Sequence, residues 1–265
     1  MVVVLTASVS ADLVGYWSLD GNADADAGGW GASSTQAGSN GENDISFPND
    51  VPAAISLRVN QSIAFDANND DRVITGFNAG MAGLSGTPTS TISFWVKRTL
   101  ETVGNGGMVY LGGLNAGAGQ VISFERNSAN LAAYYFNGNR LSSGGFVSDQ
   151  WIHVTHTYQT NHGGSEIYFD GVNVSGSNGN PAKTLNLLAD ASFSLGDRIG
   201  GVDPTTGFQV SELAVWNEVL SPAQITALAN GTSPLLIPEP SSGALLLVGV
   251  ALLHGYFRRC ENIQS

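Results

Sequence analysis

Apolar and polar residues alternate in short runs along most of the chain. Ile92, Phe94 and Val96 interleave with Ser93, Trp95 and Lys97, and Ile167 and Phe169 with Glu166, Tyr168 and Asp170. A period of two puts each set on its own face of an extended chain, so these segments predict β-strands with one face in a core. Two further strand-like runs cover residues 121–124 and 131–136. Asp170-Gly171, set between Ile167-Tyr-Phe169 and Val172-Asn-Val174, predicts a tight hairpin, because glycine accepts the positive φ that such turns demand. One helix is predicted: Ser221 offers an N-cap hydroxyl, Pro222 suits the first helical position, Gln224 completes a capping box and Gly231 supplies the stop. Residues 22–49, rich in Gly, Ser and Asn, are expected to form a long loop. No repeat of fixed period is evident.

Composition sharpens this into an all-β expectation. Of 265 residues, 12% are charged, 34 are glycine and two are lysine, whereas helical proteins lean on Ala, Glu, Lys, Leu and Arg. The formal charge of −12 opposes binding to a phosphate backbone, which Lys and Arg carry, so nucleic acid is excluded as a partner. An acidic surface suits a hard cation such as calcium, which takes oxygen ligands. The sole cysteine, Cys260, lies near the end of the chain, so the body before it can form no internal disulfide.

Three regions are expected. Residues 1–11 are apolar and then small, like the tail of a signal peptide without its basic start, or else a first strand. Residues 12–232 form the body, and 233–265 a Pro-rich linker with an apolar tail. In that tail Pro238, Glu239 and Pro240 precede a nearly uninterrupted apolar stretch over residues 243–257, followed by Arg258 and Arg259. About 17 apolar residues are the minimum for a helix that crosses a bilayer, and the arginines after it favour the cytoplasmic side. The Pro-Glu-Pro triplet, apolar helix and Arg pair resemble the PEP-CTERM sorting signal of Gram-negative bacteria. That resemblance implies processing by an exosortase, transient anchoring in the inner membrane with a cytoplasmic C-terminus, and delivery to the outer envelope or extracellular matrix. His254 within the apolar run and the extension after Cys260 depart from the pattern, and an ordinary membrane anchor is the alternative.

The body carries a second resemblance. Val14-Gly-Tyr-Trp-Ser-Leu-Asp20, Ile63-Ala-Phe-Asp66 with Asp71-Arg-Val-Ile74, Thr91-Ile-Ser-Phe-Trp-Val-Lys97, Trp151-Ile-His-Val154, Ile167-Tyr-Phe-Asp-Gly-Val172 and Glu212-Leu-Ala-Val-Trp-Asn217 follow one another. In that order they resemble the strand signatures of laminin G-like domains in the concanavalin A-like lectin and glucanase superfamily. The resemblance implies an antiparallel jelly-roll β-sandwich with a short helix after the last strand. It also implies a structural calcium between the loop after the first strand and the last long strand. Asp26 and Glu212 match those positions, Asp20 is a further candidate ligand, and Ser211 stands where an Asp is common.

Function is less constrained, because this fold hosts lectins, glycosidases, adhesion modules and spacers. Retaining glucanases of the superfamily place paired carboxylates at alternate positions of one strand, and no such triplet is found. Glu166 and Asp170 come nearest, but Asp170 is the hairpin-turn residue. His153 and His156, three apart on a strand, point to opposite faces and cannot chelate together. Trp30, Tyr135, Asn137 and Arg140 are candidates for stacking on and hydrogen bonding to a sugar. The expected function is an exported, non-enzymatic module that binds a glycan or a cell-surface protein. A divergent glycoside hydrolase and a purely structural matrix protein are the alternatives.

Overall fold

The computed structural model describes residues 12–36, 45–66, 71–99, 107–114, 116–117, 119–127, 130–135, 139–142, 144–159, 161–176, 185–196 and 207–238. In chain order the strands are β1 (Leu13–Trp17), β2 (Gly31–Gln36), β3 (Ile63–Phe65), β4 (Arg72–Gly76), β5 (Ser90–Arg98), β6 (Gly107–Gly112) and β7 (Ile122–Asn127). They continue with β8 (Asn130–Tyr134), β9 (Asn139–Leu141), β10 (Trp151–Gln159), β11 (Asn161–Phe169), β12 (Val172–Asn173), β13 (Ser192–Gly196) and β14 (Phe208–Trp216). One sheet runs β1-β14-β5-β10-β11-β12, with β3 also on β14, and the other runs β2-β4-β13-β6-β7-β8-β9. Their pairings are antiparallel, and the two sheets form an all-β sandwich consistent with a jelly roll.

The alternating apolar sets meet between the sheets. Ile92, Phe94, Val96, Val154 and Ile167 of the first sheet pack with Val109, Leu111, Phe124, Phe193 and Leu195 of the second. The rings of Phe94 and Phe124 meet edge to face at 5.0 Å between centroids. Each such side chain contributes about 1.5–3 kcal/mol by leaving water.

The outer face of the first sheet is also covered, which the alternation alone does not disclose. Helix α1 (Pro222–Ala229) lays Ile225 and Leu228 on Tyr168, Ala214 and Trp216, and Ile55 and Val59 pack on Trp95. Polar residues of that face are therefore buried, His153 and Thr155 among them. Helix α1 starts as expected, with Ser221 as N-cap and the reciprocal Gln224 capping box in place. At the β11–β12 hairpin both turn residues have positive φ, 48° at Asp170 and 81° at Gly171, the backbone that matches the strand twist.

Residues 22–49 are not simply a loop, since β2 lies within them and pairs antiparallel with β4. Its sequence, Gly-Ala-Ser-Ser-Thr-Gln, lacks hydrophobic alternation because it is an edge strand held by backbone hydrogen bonds rather than by a buried side-chain face. No helix among the described residues is long and apolar enough to cross a membrane. Residues 1–11 and 239–265 lie outside the described residues.

The β2–β4 pairing gives a direct prediction. Gly31 faces Gly76, and a Cβ on Gly76 would sit 2.2 Å from the Gly31 carbonyl oxygen. Gly76→Ala should push β2 off β4 at about 1–3 kcal/mol, the usual cost of overpacking. It should accelerate amide exchange over residues 31–36 while β6 and β13 keep their protection. Parent-like exchange in β2 would refute the pairing.

Candidate functional site

The site grows from a change of phase in β14. Phe208 and Val210 point into the core, as do Leu213 and Val215, so the odd-even alternation slips by one between 210 and 213. The pairing with β5 shifts register between Ser211 and Ala214, as at a β-bulge. On its other side β14 pairs first with β3, Val210 facing Ile63, and then with β1, Leu213 facing Trp17. Glu212 sits at the changeover with a φ of 52°, a left-handed conformation uncommon for a residue other than glycine. Its N–H donates to the Ser18 carbonyl at 3.2 Å.

Three donors converge on the Glu212 carboxylate. The Tyr16 hydroxyl donates to Oε1 at 2.9 Å, Arg58 Nε to Oε1 at 2.9 Å, and Arg58 Nη2 to Oε2 at 2.5 Å. Arg58 Nη1 donates to the Gly231 carbonyl beyond α1. Only 3% of the Glu212 side chain is exposed, against 28% for Arg58. Burial pushes the Glu212 carboxyl above the usual carboxylate range, outweighing the opposing pull of Arg58 and Tyr16, and neighbouring Asp26 adds to the rise. Burial, reinforced by the Glu212 charge, raises the Tyr16 phenol far above its ordinary value, so it stays a neutral donor. Arg58 was not foreseen from the sequence. A signal was present, since seven carboxylates precede it and it is the first basic residue of the chain.

The three calcium candidates occupy this region without forming a cage. Asp26 Oδ2 accepts the Ser18 N–H at 2.5 Å, and the Asp26 N–H donates to the Tyr16 carbonyl at 2.8 Å, so topology does bring Asp26 beside Glu212. Asp20 Oδ1 accepts instead from the backbone of Asn60 and Gln61 at 3.1 and 2.9 Å. Among the described residues no three His, Cys, Asp or Glu side chains converge as a metal site. Calcium takes six to eight oxygens, and here both Glu212 oxygens already accept from fixed donors. As placed, these residues do not fit a calcium ion.

The sugar-binding candidates separate. Trp30 is half-buried, its indole N–H donating to the Val14 carbonyl at 2.7 Å and its ring set against Phe77 at 4.8 Å. Gly28 makes room for it, because a Cβ there would meet Trp30 Nε1 at 2.2 Å and Val14 O at 2.6 Å. Trp30 lines a shallow hollow of ≈ 430 Å³ with Asp12, Asn217 and the exposed Met81. Tyr135, by contrast, is fully buried. Its hydroxyl binds His156 Nε2 at 2.8 Å and Ser165 Oγ at 2.7 Å between the sheets, so it offers no surface for stacking. Arg140 is in β9, at the opposite edge of the sheet from β2. Six strand spacings put β9 roughly 30 Å along the sheet from β2, so positions 30 and 140 belong to opposite edges. Asn137 lies outside the described residues.

The remaining candidates hold local structure. Glu166 accepts from the Tyr168 hydroxyl, and Asp170 Oδ1 accepts the His153 N–H at 2.9 Å. His153 binds Ser93 Oγ on the outer face at 2.9 Å, while His156 faces Tyr135 in the core, so the two point apart as their spacing predicts. Of the sorting motif, Pro238 is exposed and its carbonyl accepts from Gln224 Nε2 at 2.7 Å. Glu239, Pro240, Arg258 and Arg259 are outside the described residues.

Residues 67–226 match the family model of the concanavalin A-like lectin/glucanases superfamily, laminin G type. No curated protein matches the sequence. Among solved structures the chain is similar to domain 4 of AbnA, an extracellular GH43 arabinanase from Geobacillus stearothermophilus, in complex with arabinotriose. The TM-score is 0.55 at 18% identity, covering 83% of this chain and all of that domain. It is also similar to botulinum neurotoxin type C, whose cell entry depends on interaction with two ganglioside molecules, with a TM-score of 0.54 at 13% identity over 83% of this chain. The binding domain of botulinum neurotoxin serotype D gives 0.52 at 12% identity over the same share. The chain spans 51% and 50% of those two toxin structures. At these identities the likeness establishes the fold.

Buried His153 makes stability depend on pH. Burial lowers its imidazole from an ordinary 6.5 to about 3. Between those values the unfolded chain binds a proton that the fold does not, so the contribution of His153 to stability falls as pH drops below 6.5, by up to about 1.4 kcal/mol per unit. Asp50, held below the usual carboxylate range by Lys97 and Trp151 despite its burial, adds loss only at the acid end. His153→Gln should therefore remove the part of the slope that His153 contributes between about pH 6.5 and 4.5, read by urea unfolding of variant and parent side by side. An unchanged slope would refute this.

Proposed function

The chain belongs to the concanavalin A-like lectin/glucanases superfamily, and on that footing we propose that it is an exported, non-catalytic laminin G-like module that binds neutral glycans in the Trp30 hollow. The observation that carries this reading is the fixed indole: Trp30 is tethered by Val14 and backed by Phe77, yet still lines an open hollow. A rigid aromatic surface beside a carboxylate and an amide, here Asp12 and Asn217, suits sugar C–H faces and hydroxyls. The net charge of −12 disfavours acidic polysaccharides and leaves neutral ones. The arabinotriose complex of the same fold lends support to a neutral glycan, and the ganglioside-dependent toxin supports glycan binding by this fold only in general.

The fold also serves glycoside hydrolases, so the absence of catalysis is part of the proposal. It is supported by the engagement of Glu166 and Asp170 in local structure. For location, we propose residues 1–11 as the end of an export signal, 12–232 as the module and 233–265 as a PEP-CTERM-like signal for an exosortase. The protein would stand transiently in the inner membrane of a Gram-negative bacterium and pass to the envelope or matrix.

Two experiments test these readings. On a panel of immobilised neutral and acidic polysaccharides, the protein should be retained by a neutral one without releasing reducing ends. Trp30→Ala and Gly28→Ala should lose retention at least tenfold, while Arg140→Ala retains it. Release of reducing ends would favour a hydrolase. Retention by none of them would refute glycan binding, and retention unchanged by Trp30→Ala would refute the hollow. For sorting, replacing Pro238, Glu239 and Pro240 together with Ala should trap uncleaved protein in the membrane. Unaltered processing would leave a plain anchor.

A further inference from the structure

We infer that the Arg58 guanidinium is a built-in replacement for a structural cation, so that the two ends of the domain are fastened without metal. A structural ion here would neutralise Glu212 and bind the loop after β1 to β14. Both tasks are already performed by protein groups. Arg58 meets Glu212 through a two-pronged contact, Nε to Oε1 and Nη2 to Oε2, the geometry in which a guanidinium binds a carboxylate most strongly. Its third nitrogen reaches the Gly231 carbonyl, and Tyr16 of β1 shares the same carboxylate. Four separate stretches of chain thus meet at one ion pair: β1 and the covering residues 51–59 at the carboxylate of β14, and the turn after α1 at the guanidinium.

Charge makes metal and guanidinium mutually exclusive. The titratable and charged groups that face one another here are Glu212, Arg58, Tyr16 and Asp26. Tyr16 is neutral, and Arg58 balances Glu212. A divalent ion on Glu212 would have to displace the guanidinium or lie against it in a nearly dry site, where like charges repel strongly. Asp26, with one oxygen committed to the Ser18 N–H, would be a single ligand. Asp20 is occupied elsewhere by Asn60 and Gln61.

Thermal unfolding of the full chain, purified and treated with a chelator, tests this. Restoring millimolar calcium or magnesium should leave the melting temperature of the parent unchanged, and calorimetric titration with calcium should give no saturable heat. A saturable calcium-dependent rise in the parent would overturn the inference. Arg58→Ala should melt lower near pH 7.5 by on the order of 10 °C. That deficit should shrink on acidification, because Glu212 without its counterion takes up a proton. A parent-like melting temperature for Arg58→Ala, or a deficit indifferent to pH, would also overturn it. If Arg58→Ala does not fold, Arg58→Lys, which keeps the charge and loses the fork, should show a smaller deficit. Full recovery of Arg58→Lys on adding calcium would count against the guanidinium.

Discussion

A single carboxylate, that of Glu212, has to be satisfied away from water, and the arrangement of both ends of the domain follows from how this is done. β14 serves β5 on one side and two successive partners, β3 and β1, on the other. Those partners are served in two phases, and the strand slips between Ser211 and Ala214. The slip forces a non-glycine residue into the left-handed region, which costs about 1–3 kcal/mol, and turns a carboxylate into a covered space. Charge-assisted hydrogen bonds from Arg58, together with the Tyr16 hydroxyl, offset that cost. Removing the counterion would leave a buried charge, which is far more destabilising than losing a surface pair.

The same clamp sets the position of the proposed glycan site. Tyr16, fixed by its hydroxyl to Glu212, exchanges backbone hydrogen bonds with Asp26 and Ala27. Gly28 follows with a φ of 101°, bringing the chain round so that Trp30 can reach the Val14 carbonyl on the other side of Tyr16. The indole is thus held by β1 at one remove from the ion pair. A stability element and a recognition element share the same few residues, and the hollow is rigid because β1 is seated on β14.

Much of the sandwich is legible in the sequence wherever one face of a strand meets the core, as with Ile92, Phe94 and Val96. The helix is legible from Ser221, Pro222 and Gln224, and the Asp170-Gly171 turn from its backbone requirement. What escapes is what side-chain alternation does not encode. β2 carries small polar residues and is held by backbone pairing. Tyr135 resembles a surface aromatic beside an Asn-Gly turn, yet its hydroxyl is satisfied internally by His156 and Ser165, so it can be buried whole. Trp30 and Arg140 look like parts of one site until strand order places them at opposite edges. Arg58 belongs to a segment without strand or helix periodicity, and its partner is 154 residues away. The broken alternation from Val210 to Leu213 marks the bulge, but not the cation that faces it.

The coupling between Arg58 and Glu212 is most directly measured by a double-mutant cycle. Arg58→Met, Glu212→Gln and the double variant would each be compared with the parent by equilibrium urea unfolding at neutral pH. If the guanidinium and the carboxylate act as one unit, the two single losses will exceed what is additive by at least about 1.5 kcal/mol, and the double variant will be little worse than either single one. Losses that add to within about 0.5 kcal/mol would mean that the two residues act independently. The ends of the domain would then be held by packing alone, contrary to this account.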